Sequence, residues 1–203
     1  MYDRPMAKAI TDLSAFVLAG GKSTRMGEDK AFLDFKGRTL LDRALEVAGA
    51  VASDVRIVGK AEKFAAHAAI VEDVFQNCGP LAGIHAALRV SSSELNLILA
   101  VDMPLVSEDL LRFLIARAES PTITVTVPRT EEGWQPLCAV YRRNFADFAE
   151  TALRARRYKI DALFGSIEVQ TIGEQELHKA GFSPVMFRNL NTRNDLELAM
   201  RKH

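Results

Sequence analysis

A chain of 203 residues, 48% of them hydrophobic, can bury a substantial core and sits at the upper edge of ordinary single-domain size. Lys+Arg and Asp+Glu balance at 26 each, so no global field attracts nucleic acid or an anionic membrane, and any phosphate binding has to be local. The two cysteines, Cys78 and Cys138, belong to no CxxC or Cys/His cluster, which argues against a zinc site or a disulfide framework and fits a reducing, cytoplasmic setting.

Residues 1–12 read as an N-terminal extension. Asp3 and Asp12 interrupt this stretch before any long apolar run, so it lacks the pattern of a signal peptide. No segment approaches the roughly 20 apolar residues of a membrane span. Residues 13–203 then read as one domain. Short β-prone runs alternate with helical patterns through the first half: Ala15 to Leu18, the helix Leu40 to Val51, Val55 to Val58, the helix Leu81 to Val90, and Leu97 to Val101. Such alternation predicts βαβ units and a mainly parallel sheet, with the almost wholly apolar Leu97 to Val101 as a central strand. Ser107 is placed to cap a helix running to Ala118. Strands follow at Ile123 to Val127 and Leu137 to Tyr141, a helix from Phe145 to Arg156, a strand from Ile167 to Ile172 and a last helix from Asn194 to Arg201.

The first strand runs straight into Ala19-Gly20-Gly21-Lys22-Ser23-Thr24-Arg25-Met26-Gly27-Glu28-Asp29-Lys30. Glycines let the backbone turn sharply and bring its N–H groups to anionic oxygens, while Arg25 and Lys30 add fixed positive charge, the chemistry of a triphosphate cradle. Neither Gly-x-x-x-x-Gly-Lys-[Ser/Thr] nor Gly-x-Gly-x-x-Gly is present, which disfavours a P-loop ATPase and a dinucleotide dehydrogenase. Downstream, Val101-Asp102-Met103-Pro104 sets a carboxylate just past the central strand. One Asp with triphosphate oxygens and waters suffices for Mg²⁺, so Asp102 is the expected metal ligand; the competing reading is a cap for the following helix, which begins several residues later.

The ungapped Leu18-Ala19-Gly20-Gly21-x-Ser23-x-Arg25-Met26-Gly27-x-Asp29-Lys30 resembles the signature of the molybdenum cofactor guanylyltransferases. The resemblance implies a three-layer, Rossmann-like nucleotidyltransferase fold with a mainly parallel mixed sheet. It implies GTP and molybdopterin as substrates, Mg²⁺ as cofactor, and transient contacts with other cofactor-biosynthesis proteins or molybdoenzymes. The backbone of Leu18, Ala19, Gly20 and Gly21 is expected to contact the nucleotide, and Arg25 and Lys30 to act on the departing pyrophosphate. The strand-end Asp of that family binds metal and nucleotide, in agreement with Asp102. Nucleotide binding is likewise carried onto Asp73, which by itself reads more readily as a surface turn residue. Gly79-Pro80-Leu81-Ala82-Gly83 is similar to the family's segment near the base. One departure is Val58-Gly59-Lys60-Ala61, where the family commonly has an Asn.

Trp134-Gln135-Pro136-Leu137 resembles the family's segment beside the acceptor pocket. Trp134 could stack on a pterin with Gln135 hydrogen-bonding its edge, or Trp134 could anchor a hairpin. Asn189-Leu190-Asn191-Thr192 resembles an acceptor-binding Asn-x-Asn-Thr motif and reads also as a turn with a helix cap. The four histidines form no constellation and receive no catalytic role. A CTP-dependent pterin cytidylyltransferase, a sugar-phosphate nucleotidyltransferase and a GTP-binding adaptor without transfer activity are the alternative functions.

Overall fold

The computed structural model describes residues 12–20, 29–190 and 195. Gly21, Arg25, Asn191, residues 1–11 and the expected last helix, apart from the helical residue Asp195, lie outside the described residues. Ten strands are described: β1 (Leu13–Leu18), β2 (Asp34–Phe35), β3 (Arg38–Thr39), β4 (Asp54–Val58), β5 (Ala69–Val71), β6 (Leu95–Ala100), β7 (Val125–Thr130), β8 (Gly133–Trp134), β9 (Cys138–Arg142) and β10 (Val169–Gly173). The helices are α1 (Leu40–Gly49), α2 (Ala61–Phe64), α3 (Pro80–Val90), α4 (Glu108–Arg117), α5 (Phe145–Arg154) and α6 (Glu174–Lys179). The main sheet runs β10-β7-β9-β6-β1-β4-β5, with β8 paired to β7. β1 is parallel to both β4 and β6, β4 to β5, and β10 to β7, while β9 is antiparallel to β6 and β7. This is the mixed, mainly parallel α/β sheet that the alternation implies.

Side chains alternate between the two faces of each strand, and each face has its own core. Ala15, Val17, Leu97 and Leu99 pack with Leu40, Leu41 and Ala44 of α1 and Leu110, Leu111 and Leu114 of α4. Phe16, Leu18, Ile98 and Tyr141 pack on the other face with Leu81, Ile84 and Leu88 of α3 and Phe145, Ala149 and Leu153 of α5. The result is three layers. β6 is apolar apart from Asn96 because both of its faces are covered. Ser107 caps α4 as its sequence position suggests, its hydroxyl accepting from the Leu110 amide at 3.3 Å. None of the described helices is long and apolar enough to cross a membrane.

Parallel register aligns the strand ends. Leu18 is level with Val58 on one side and Ala100 on the other, and Val58 with Val71. From β1 the chain passes to β4 on one flank and later returns as β6 on the other, so a crevice opens at this carboxyl edge where the strand order reverses.

Candidate active site

Backbone hydrogen bonds tie the four strand ends together. The amides of Ala19 and Gly20 both donate to the Val58 carbonyl, at 3.0 and 3.1 Å. Val101 donates to Leu18 at 3.1 Å and Gly59 to Val71 at 3.0 Å. The chain leaving β1 is thus fixed over β4 before it enters the glycine-rich loop. Helix α3 approaches this edge closely because Gly83 has no side chain: a Cβ there would lie 3.3 Å from Val58 Cγ1, 3.5 Å from Asp73 Oδ1 and 3.6 Å from Leu18 Cδ2. Gly79, at φ 72°, makes the turn that starts the helix, a conformation few other residues adopt, and Pro80 fits its first turn.

Asp73 follows β5 and faces this junction. Its Oδ1 is buried without a hydrogen-bond partner, and burial raises its carboxyl above the usual value. A buried acceptor with no donor is costly in the free protein and is suited to a ligand that brings N–H groups.

On the other side of β1, Asp29 caps the short turn Lys30–Phe32 through the Ala31 amide at 3.2 Å and pairs with Lys63 at 2.5 Å. That turn aims Lys30 across the strand ends, where its Nζ meets Asp102 Oδ2 at 2.8 Å; both side chains are only 20% exposed. Residues 72 positions apart in the chain therefore form one charged pair at the edge of the sheet. The Asp102 backbone is held as well: its carbonyl accepts from Leu190 N at 2.9 Å, which puts Asn189, exposed, beside the same strand end. Among the described residues no group of three or more His, Cys, Asp or Glu is arranged to hold a metal ion. Asp102, with one oxygen on Lys30, offers a donor set that suits a divalent cation delivered on a triphosphate rather than a resident, fully caged ion.

The structure brings Leu18, Ala19, Gly20, Lys30, Asp73, Asp102 and Asn189 to this edge. Trp134 and Gln135 reach it too, in the β7–β9 connection, but their side chains serve that connection. Trp134 packs edge-on against Phe164 at 5.0 Å, with the Arg129 guanidinium 4.9 Å from its ring centre. Gln135 Nε2 donates to Thr130 Oγ1 at 3.2 Å and to the Gly133 carbonyl at 3.4 Å. The hairpin-anchor reading describes these contacts. Close by, Thr130, Glu131, Glu132, Glu174, Pro184, Val185 and Arg188 line a pocket of about 180 Å³ that sequence reading misses. Its one signal in the sequence is that Arg188 directly precedes Asn189. His85, given no catalytic role, is buried between α3 and α5 with Arg89, Glu150 and Phe75 around it.

Residues 15–167 match the family model described as the MobA-like NTP transferase domain. The chain is 35% identical over 190 residues to a molybdenum cofactor guanylyltransferase of Desulfosudis oleivorans, covering 92% of this chain and 94% of that protein. It is 34% identical over 182 residues to a probable molybdenum cofactor guanylyltransferase of Pelotomaculum thermopropionicum, 89% of this chain and 88% of that one. Among solved structures, molybdopterin-guanine dinucleotide biosynthesis protein A of Archaeoglobus fulgidus superposes with a TM-score of 0.81 at 28% identity, covering 93% of this chain and 97% of its own. The 2-C-methyl-D-erythritol 4-phosphate cytidylyltransferase of Thermus thermophilus, at 18% identity and a TM-score of 0.67, shares the fold.

Proposed function

The chain belongs to the family of MobA-like NTP transferases, and on that premise we infer that it is a molybdenum cofactor guanylyltransferase, moving GMP from GTP onto the terminal phosphate of molybdopterin with release of pyrophosphate. The observation that carries the transfer chemistry is the Lys30–Asp102 pair beside the Ala19–Gly20 turn, and the near-full-length similarity to guanylyltransferases supplies the nucleotide and acceptor.

A terminal phosphate oxygen of the acceptor attacks the α-phosphorus of GTP in line, and the bond to the β-phosphate oxygen breaks. An already ionised phosphate needs no general base, so the protein contributes positioning and electrostatic stabilisation. Leu18, Ala19, Gly20 and Gly21 present backbone to the nucleotide. Lys30, with Arg25, stabilises the negative charge that grows on departing pyrophosphate. Asp73 offers its unpartnered oxygen to the N–H edge of guanine, which a cytosine ring cannot supply in the same pattern. Asp102 is the residue to hold Mg²⁺ together with triphosphate oxygens. Bound there, Mg²⁺ would supply the positive charge that offsets the triphosphate. Asn189 and Asn191 hold the acceptor, with Trp134 and Gln135 shaping the wall behind it.

The same proposal assigns the reaction to the cytoplasm, where GTP is supplied, and, because its product has to be handed on, includes transient contact with other cofactor-biosynthesis proteins or a recipient molybdoenzyme. The test is incubation with molybdopterin, Mg²⁺ and each of the four NTPs in competition, with product identified by mass and pyrophosphate measured. The expected product is molybdopterin guanine dinucleotide. Preferential use of CTP moves the chain to cytidylyl transfer, and GTP binding without pyrophosphate release makes it a binding protein.

A further inference from the structure

The segments that carry Lys30 and Asp102 share a second contact, away from the charged pair. Arg43, on the second turn of α1, lies with its guanidinium carbon 5.1 Å from the ring centre of Phe35, and its Nη2 donates to the Pro104 carbonyl at 3.4 Å. Phe35 is buried, at 1% exposure, in the β2–β3 hairpin that follows the Lys30–Phe32 turn. Pro104 lies two residues beyond Asp102 and, having no N–H, offers this turn only its carbonyl to grip. Arg43 Nε is buried without a partner, a cost that a merely solvated arginine on a helix face does not carry. Backbone bonds complete the frame: Leu40 N donates to Leu33 at 3.0 Å, fixing the hairpin to the start of α1, while Met103 N donates to Ala100 and Val106 N to Met103, each at 3.3 Å, folding the turn around Asp102.

We propose that Arg43 is a positioning residue for guanylyl transfer, clamping the Phe35 hairpin to the Asp102–Pro104 turn and so setting the distance between the phosphate-binding Lys30 and the metal-binding Asp102. The clamp touches no substrate atom. A planar guanidinium suits the task because it stacks on a ring and donates from its edge at once, which an ammonium cannot do in the same way. A small displacement of catalytic charges from their reacting geometry is expensive in rate and cheap in ground-state binding. For its kinetic consequence the proposal rests on the guanylyl-transfer reading.

The experiment compares wild type, Arg43→Met, Phe35→Leu and the double variant. Arg43→Met keeps an apolar stem of similar length and removes the fork; Phe35→Leu keeps the core filled and removes the ring. In protein without metal or nucleotide, hydrogen exchange at the Met103 and Val106 amides should accelerate in both single variants, although Phe35 is in a different segment. The double variant should exchange no faster than Arg43→Met, because both changes open one clamp. In the transfer assay Arg43→Met should lose about tenfold in kcat, with KM for GTP within about twofold. Exchange at Met103 and Val106 unchanged in a folded Arg43→Met variant, additive effects in the double variant, or a lower melting temperature with normal kcat each overturns the clamp. If Arg43→Met does not fold, Phe35→Leu decides by the exchange measurement alone. Absence of transfer by wild type strikes the guanylyl-transfer reading and leaves the exchange measurement to judge the clamp.

Discussion

Leu190 donates its amide to the carbonyl of Asp102 at 2.9 Å, so Asn189 and Leu190 are fastened to the end of the central strand. The segments proposed to bind the acceptor and the metal thereby share a backbone bond. Replacing Asn189 and Asn191 by Ala should depress transfer to molybdopterin by about 100-fold while GTP affinity, measured by calorimetry without acceptor, stays near normal. If the pair serves only as turn and helix cap, the double variant loses about 1 kcal/mol of stability and turns over normally. That result removes both residues from the site.

The Lys30–Asp102 pair makes two separable claims. Asp102→Ala should abolish Mg²⁺-dependent turnover, by at least about 100-fold, in a chain that still shows a cooperative melt. Lys30→Ala should act chiefly on kcat, because its charge matters most as pyrophosphate departs. An effect of Lys30→Ala confined to KM identifies uniform binding instead.

Asp73 should trade stability for recognition. Burial raises its carboxyl in the folded chain above 3.8, so its contribution to stability is fully present below that pH and declines as pH rises through the folded value. The unliganded protein bears a carboxyl with a buried, unpartnered oxygen, and burial disfavours its ionised form. Asp73→Asn should therefore raise the melting temperature at pH 7 by about 2 °C, a gain that narrows toward pH 4, and weaken GTP binding about tenfold. A variant that is less stable at pH 7 would show that the carboxylate is well solvated.

His85 and Glu150 set two steps of acid lability. Burial lowers the His85 imidazole below 6.5, outweighing the opposing hydrogen bond to Glu150, with Arg89 and Arg154 adding repulsion. The unfolded chain then takes up a proton that the folded chain refuses, and stability falls as pH drops below about 6.5. Hydrogen bonds from Arg154 and then Arg89 hold Glu150 down at about 2, so its contribution persists above 4.5 and is lost between there and about 2. His85→Gln should flatten the stability profile just below pH 6.5 and leave the lower step in place, measured by urea unfolding from neutral to acid pH. An unchanged profile assigns the upper step elsewhere.

Strands β1 and β6 were legible because both are nearly continuous apolar runs, and α4 because Ser107 stands where a cap belongs. The β2–β3 hairpin was not. Its two-residue strands are too short for an alternating pattern, and its turn places Lys36 and Gly37 at φ 58° and 79° without the Asn-Gly or Asp-Gly pair that marks such turns in sequence. β7 starts at Val125 rather than Ile123, since the register with β10 and β9 begins there. At the site, residue types with a chemical signature, such as Lys30 and Asp102, could be named in advance. The Leu190–Asp102 bond could not, because a backbone amide bonding a backbone carbonyl leaves no trace in residue identity.

The reversal of β9 between β6 and β7 partitions the sheet. On one flank β6, β1, β4 and β5 end at the glycine turn, Asp73 and Asp102; on the other, the 130–137 connection, Arg188 and Asn189 overhang the same edge from β7, β9 and β10. The two flanks meet along the β6–β9 ladder, whose bonds are between main-chain groups and tolerate many side chains. On the proposed assignment of nucleotide to one flank and acceptor to the other, substrate preference is modular: changes to the 130–137 connection would retune the acceptor while the proposed base and triphosphate contacts stay in place, so one scaffold could diversify in the partner it modifies without first relearning how to activate a nucleotide.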